Sequence, residues 1–219
     1  MSKNNHQDTS QAFIAFAIQK QVLKFGQFKT KAGRLSPYFF NAGLFNDGDS
    51  LLKLGEFYAE TIQKSGIAFD MLYGPAYKGI TLAASIAIAF AKNGHNYPYA
   101  YNRKEAKDHG EGGMVVGAPL QGRVLIIDDV ISAGTSVRES IEIITQHGAK
   151  ACGVAIALDR MEKGLGELSA VQEVQQAYLL PVCNIANLNN LLEYVANQQD
   201  MAQHLLNIKT YRQQYGVNN

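Results

Sequence analysis

Residues 123–136 read RVLIIDDVISAGTS, an apolar strand that runs into two adjacent carboxylates and then into a turn of small residues opening a helix. In open α/β sheets, ligands bind in the crevice outside the carboxyl ends of the strands, so Asp128 and Asp129 are expected to point at a substrate rather than into the core. Carboxylates there accept hydrogen bonds from sugar hydroxyls. Ser132, Ala133, Gly134, Thr135 and Ser136 follow, and their small side chains let successive backbone N–H groups converge on a phosphate at a helix N-terminus, with hydroxyls as further donors. The pattern predicts a site that holds a sugar phosphate at both ends. A competing explanation has Ser136 and Glu139 forming a capping box while the aspartates merely solvate a strand end. It accounts for the helix start but not for the acidic pair, because adjacent carboxylates repel unless cationic or hydroxylic partners offset them.

Outward from this stretch the chain alternates strand and helix. Strands are expected over residues 69–73, 97–101, 123–127 and 151–158, and helices over 50–65, 78–92 and 135–147. Such alternation argues for an α/β fold with a central, mostly parallel sheet flanked by helices on both faces. At the N-terminal side, apolar groups at helical spacing from Phe13 to Leu23 predict a helix closed by Gly26. A short extended region over 28–40 then makes a small N-terminal hood, mainly residues 10–45. Residues 102–122 hold five glycines and no periodicity; a run of that length without structure is expected to be functional, and about 102–114 is read as a mobile loop over the site. The tail over 187–215 is helical in pattern and is expected to pack on the sheet edge or on a partner.

With 219 residues and 47% hydrophobic side chains, the chain suits one domain over residues 1–219. Its 20 basic and 19 acidic side chains give a formal charge of +1, so no global field draws in nucleic acid or an anionic membrane. Anions must be captured locally. Cys152 and Cys183 lack CxxC spacing and suit buried, reduced thiols. The apolar runs over 12–18 and 81–91 fall short of the roughly twenty residues a membrane span needs, so a cytoplasmic protein is expected.

IIDDVISAGTS resembles the phosphoribosyl pyrophosphate (PRPP) signature of the type I phosphoribosyltransferases. The resemblance implies that Asp128 and Asp129 contact the ribose 2′ and 3′ hydroxyls, and that the run Val130, Ile131, Ser132, Ala133, Gly134, Thr135 and Ser136 holds the 5′-phosphate. Three further segments are similar to the orotate-specific subfamily in its bacterial form, and together the likeness spans about residues 13–215. KAGRLSPYFF (31–40) matches its hood, implying that Lys31 reaches substrate and PRPP and that Phe39 and Phe40 border orotate; burial preference alone would make both phenylalanines strand core. GPAYKG (74–79) follows a strand and opens a helix, implying pyrophosphate contacts from Tyr77 and Lys78. It is not a Walker A loop, since Ile80 stands where that motif needs its lysine. Read alone, Lys78 could equally be a solvated helix-start lysine.

NRKEAKDHGEGG (102–113) supplies Arg103, Lys104, Lys107 and His109 as donors to pyrophosphate, with glycines that let the loop move. Glu105, Asp108 and Glu111 also permit a plain solvated loop. In the subfamily this loop closes over the neighbouring subunit's site, implying a homodimer with shared sites. ALDR (157–160) implies an orotate-carboxylate contact from Arg160, although by itself the arginine could be an exposed strand end. Ser132 stands where the subfamily often has threonine; it keeps the hydroxyl for PRPP and orotate and loses a methyl contact.

The implied reaction joins orotate to the ribose 5-phosphate of PRPP, giving orotidine 5′-monophosphate and pyrophosphate in de novo pyrimidine biosynthesis, with Mg2+ as cofactor. No direct protein ligand for the metal is expected; Asp128 and Asp129 act on it indirectly. Competing readings are a phosphoribosyltransferase for another base and a PRPP-sensing regulator. Catalytic weight is expected on Lys107, His109, Asp128 and Asp129. Lys107 matters most, because a flexible primary ammonium follows the leaving group and gives it a proton. Lys107→Ala is therefore expected to lower the maximal rate on the order of a hundredfold or more while thermal unfolding is unchanged; an unaltered rate removes Lys107 from the mechanism.

Overall fold

The computed structural model describes residues 3–30, 32–107, 113–164 and 166–217. Helix α1 (Lys3–Gln19) leads into an antiparallel hairpin, β1 (Leu23–Lys29) with β2 (Leu35–Phe40). Helix α2 (Gly48–Ser65), strand β3 (Met71–Gly74), helix α3 (Lys78–Lys92), strand β4 (Tyr99–Lys107) and strand β5 (Gly113–Gly117) follow. The chain continues through β6 (Arg123–Ile127), α4 (Thr135–Gln146), β7 (Lys150–Asp159), α5 (Ala170–Tyr178), β8 (Val182–Asn187), α6 (Leu188–Ala196) and α7 (Ala202–Tyr215).

The main sheet has the order β5-β4-β3-β6-β7-β8, parallel throughout except for the β4–β5 pair. Its central strands are apolar on both sides, as a sheet covered by helices on both faces requires. Along β6, Val124 and Ile126 join one core cluster with Val137 and Ile144 of α4 and Val171 and Val174 of α5. Leu125 and Ile127 join the opposite cluster with residues of α1, α2 and α3. This strict alternation follows from the two-residue repeat of a strand. The expected α/β fold with a mostly parallel sheet is thus the observed one.

The hairpin of β1 and β2 is the expected hood, and Phe13 of α1 ties it down. That ring lies 6.2 Å from Phe40, 6.5 Å from Phe45 and 5.6 Å from Phe57 of α2, centroid to centroid.

Two expectations need correction and a third is met in detail. Helix α1 ends at Gln19, not at Gly26, which lies inside β1. Gln21 takes the left-handed conformation at φ 58°, and Val22 N–H donates to Ala17 O and Gln21 N–H to Ile18 O. That is a Schellman cap built without its usual glycine. The run over 102–122 is not structureless: β4 continues to Lys107 and pairs with β5 from Gly113, with an irregularity between Asn102 and Lys107. The charged side chains of Arg103, Lys104 and Glu105 sit on β4 near the sheet edge, where strand pairing needs no apolar periodicity. The tail is helical and packs on the sheet edge as expected, as two helices: α6 lies on α1 and the edge strand β8, and α7 on α6 and β2.

Helix α5 and strand β8 were not expected, although Ser169 and Gln172 form a full capping box ahead of α5. Both cysteines are free, half-buried, and raised to about 11 by burial. Among the described residues no helix is long and apolar enough to cross a membrane. Because Phe13 is 1% exposed and contacts three other rings, Phe13→Ala is expected to cost about 3–5 kcal/mol, read from the shift of the denaturant unfolding midpoint.

Candidate active site

The neighbouring parallel strands β3, β6 and β7 end on the same edge of the sheet. Each delivers one sequence-predicted segment there: GPAYKG after β3, DDVISAGTS after β6 and Arg160 after β7.

Asp128 is bound on every side. Its N–H donates to Ala155 O and its carbonyl accepts from the Tyr58 hydroxyl at 2.7 Å. Its Oδ1 accepts from the Asp129 N–H at 2.9 Å and its Oδ2 from Ser136 Oγ at 2.9 Å. Burial, and after it the neighbouring Asp129 charge, pushes the Asp128 carboxyl up to about 6. The Asp129 side chain is 7% exposed and its Oδ2 accepts from Lys78 Nζ at 2.6 Å. The two carboxylates therefore have separate partners, one hydroxylic and one cationic. Lys78 is not a free solvated lysine.

Ser136, engaged with Asp128, does not cap α4. The N-cap is Gly134 at φ 67°, with no side-chain hydrogen bond. The expected alternative of a Ser136–Glu139 capping box is thereby set aside, and the first-turn N–H groups of α4 lack a side-chain cap, as an anion site needs. Val130 packs on one core cluster and Ile131 on the other, so the loop straddles the sheet edge. It leaves Ser132, Ala133 and Thr135 exposed.

The loop after β3 fits against β6 because it lacks side-chain bulk where the chains meet. A Cβ on Gly79 would lie 2.7 Å from Pro75 Cδ and 2.9 Å from Ile127 O, and one on Gly74 only 2.0 Å from Gly79 O. The Ala76 N–H donates to Asn102 Oδ1 at 2.9 Å, fastening the loop to β4. Tyr77 is 69% exposed, with Lys104 Nζ 5.0 Å from its ring centroid. Arg103 Nη1 is buried and has no hydrogen-bond partner among the described residues.

In the hood, Phe40 is core, whereas Phe39 is 42% exposed and stacks on Phe28 at 5.4 Å. Arg160 is joined to this hood, its Nη2 donating to Ser36 Oγ at 2.9 Å and its guanidinium lying 4.2 Å from the Tyr38 ring centroid. Lys31 and His109 lie outside the described residues, as does the side chain of Lys107. Sequence reasoning did not single out Tyr58, Ser36, Tyr38 or Glu162. Tyr58 carries no signal beyond its place on the apolar face of α2, while Asn102 was quoted without a role.

An acidic pair at the carboxyl ends of the strands, beside an uncapped helix start, is an arrangement suited to a phosphorylated sugar. A family model described as phosphoribosyl transferase domain matches residues 44–177. The chain is 68% identical over 210 residues to an orotate phosphoribosyltransferase of Chromobacterium violaceum, with 96% of this chain and 98% of that one covered. It is 66% identical to one of Neisseria meningitidis serogroup C, with 96% and 99% covered. A crystal structure of orotate phosphoribosyltransferase from Francisella tularensis superposes with a TM-score of 0.86 at 44% identity, over 94% of this chain and 100% of that one. The chain belongs to the orotate phosphoribosyltransferase family.

The raised Asp128 carboxyl has a stability consequence in the ligand-free protein. Between its ordinary value of 3.8 and about 6, the folded state binds more protons than the unfolded state, so stability falls as pH rises through that window. The penalty is absent below the window and complete above it, at most roughly 3 kcal/mol. Asp128→Asn is expected to raise the melting temperature relative to the unmodified protein at pH 8 but not at pH 4; an equal difference at both values contradicts the assignment.

Proposed function

We infer that this chain transfers the 5-phosphoribosyl group of PRPP to N1 of orotate, giving orotidine 5′-monophosphate and pyrophosphate in de novo pyrimidine biosynthesis. The observation that carries this reading is the Asp128–Asp129 pair, half-buried and buried, beside the uncapped start of α4, in a chain 68% identical to an orotate phosphoribosyltransferase.

In this reading the hydroxyls and N–H groups of residues 130–136 hold the 5′-phosphate, and Asp128 and Asp129 receive the ribose hydroxyls. Positive charge develops on the ribose as its bond to pyrophosphate breaks, and a carboxylate pair beneath the ring stabilises it. Tyr77, Lys78, Arg103 and Lys104 face the pyrophosphate. The buried Nη1 of Arg103 supports that role, since an unpaired donor there gains a full hydrogen bond when an anion arrives. Lys107 and His109 complete the set and protonate the leaving group. Lys31, the exposed Phe39, the backbone at Phe40, Ser132 and Arg160 border orotate.

The acidic pair fits a magnesium-dependent reaction, because carboxylate oxygens suit a hard cation. Their inner positions are already taken by Ser136, Lys78 and the Asp129 N–H, which favours contact through ribose hydroxyls and water. When bound, Mg2+ supplies charge neutralisation at the departing pyrophosphate. We further propose a cytoplasmic homodimer whose subunits share their active sites, which suits the pairing of β4 with β5 at the edge of the sheet.

The test is the orotate absorbance change with purified protein, PRPP and Mg2+, with uracil, hypoxanthine and adenine as parallel substrates. Consumption of orotate alone, lost when either PRPP or Mg2+ is omitted, is the expected result. Turnover of another base overturns the substrate assignment, and PRPP binding without turnover overturns the enzyme in favour of a sensor.

A further inference from the structure

Arg160 is held far more tightly than an exposed strand-end arginine needs to be. Its Nε donates to Glu162 Oε1 at 2.9 Å, and its Nη2 lies 2.6 Å from the same oxygen. The other carboxylate oxygen of Glu162, Oε2, accepts from the Tyr211 hydroxyl of α7 at 3.1 Å. The Arg160 and Glu162 side chains are 19% and 15% exposed, and Tyr211 is 5% exposed. Burial, and then the charge of Glu162, pushes the Tyr211 hydroxyl up to about 12, so it remains a donor at neutral pH.

The backbone repeats the same connection. Met161 is left-handed at φ 51°, a conformation that a residue with a side chain holds only where its surroundings impose it. Asp159 Oδ1 holds the Met161 N–H at 2.8 Å, and the C-terminal tail holds the other side: Val217 N–H donates to Met161 O at 2.9 Å, and Lys163 N–H donates to Tyr215 O at 2.8 Å. Arg34, at the start of β2, donates to the carbonyls of Lys163 and Gly164 and lies 4.8 Å from the Tyr215 ring centroid. Helix α7 therefore grips both the segment after Arg160 and the tip of the hood.

We propose that Tyr211 and Glu162 are positioning residues that set specificity for the carboxylate of the base. They act by fixing the Arg160 guanidinium before substrate arrives. The inference rests on the reading of Arg160 as the group that meets the orotate carboxylate. Glu162 neutralises a guanidinium that is otherwise half-desolvated over Tyr38. It also engages Nε and Nη2, the latter donating in addition to Ser36 Oγ, so the guanidinium is held from two sides. A side chain already locked in one rotamer loses less freedom on binding. The Tyr211 hydroxyl in turn draws Glu162 charge away from the incoming carboxylate.

The test compares Arg160→Ala, Glu162→Gln, Tyr211→Phe and the double variant Arg160→Ala/Tyr211→Phe. The readouts are KM for orotate, KM for PRPP, kcat and melting temperature. Tyr211→Phe is expected to raise KM for orotate about fivefold and Glu162→Gln about tenfold or more, the scale of one lost hydrogen bond to a charged group. KM for PRPP is expected to stay unchanged. In the Arg160→Ala background Tyr211→Phe is expected to add nothing, since coupled residues are not additive. If Arg160→Ala raises KM for orotate while the other two single variants do not, the positioning role is wrong and the reading of Arg160 stands. If Arg160→Ala leaves KM for orotate unchanged, both are wrong. A rise in the KM of both substrates, or a full Tyr211→Phe effect without Arg160, marks a merely structural role and overturns the proposal.

Discussion

Two carboxylates side by side at a buried strand end are the constraint on which the site depends. Asp128 and Asp129 repel, and burial strengthens the repulsion because little water screens it. The fold answers with two partners drawn from different elements. Lys78 comes from the start of α3, which reaches Asp129 because β3 and β6 are adjacent and parallel. Ser136 comes from the first turn of α4 and is free to bond Asp128 because Gly134, not Ser136, occupies the cap position. The compact glycine contacts at Gly74 and Gly79 bring the lysine's loop close enough for this. Strand order, loop composition and helix start are thus different aspects of one electrostatic requirement.

A second division runs along the chain. The general phosphoribosyl transferase match ends at residue 177 and begins at 44, and the phosphate loop, the acidic pair and Lys78 all fall inside it. The hood precedes it and α7 follows it. These flanking parts meet each other around Met161 to Gly164, next to Arg160. On the proposed reading, the shared region holds the sugar phosphate and also supplies Ser132 and Arg160 to the base, while the flanking parts complete the base site with Lys31, Phe39 and the Phe40 backbone and brace Arg160 through the bond of Tyr211 to Glu162.

The parts legible in the sequence were those whose chemistry and periodicity agree. Strand β6 and helix α3 have the expected bounds because apolar runs there end at unambiguous polar or small residues. Two partners of the carboxylates were quoted beforehand, Lys78 and Ser136, but their bonds to Asp129 and Asp128 depend on strand order, which local pattern does not encode. The failures have physical causes. A Schellman cap on Gln21 hides the end of α1, since glycine is the usual signal. Strand β4, next to the edge strand β5, is charged beyond Asn102, so alternation does not announce it. Glu162 and Tyr211 are 49 residues apart and meet only once α7 has packed on the hood.

The two arginines at the site are in opposite states, and the contrast bears on how binding energy is used. Arg103 has a buried Nη1 with no partner among the described residues, a condition that costs about 1–3 kcal/mol until an acceptor arrives. Arg160 is engaged by Glu162, Ser36 and the Tyr38 ring before any ligand binds. If Arg103 meets pyrophosphate, its stored deficit is relieved on binding and strengthens the hold on a group whose charge grows as its bond to ribose breaks. If Arg160 meets the base carboxylate, its preorganisation reduces the freedom lost on binding and makes the geometry of recognition strict. An unsatisfied donor favours affinity where charge develops, and a satisfied one favours selectivity where charge is constant.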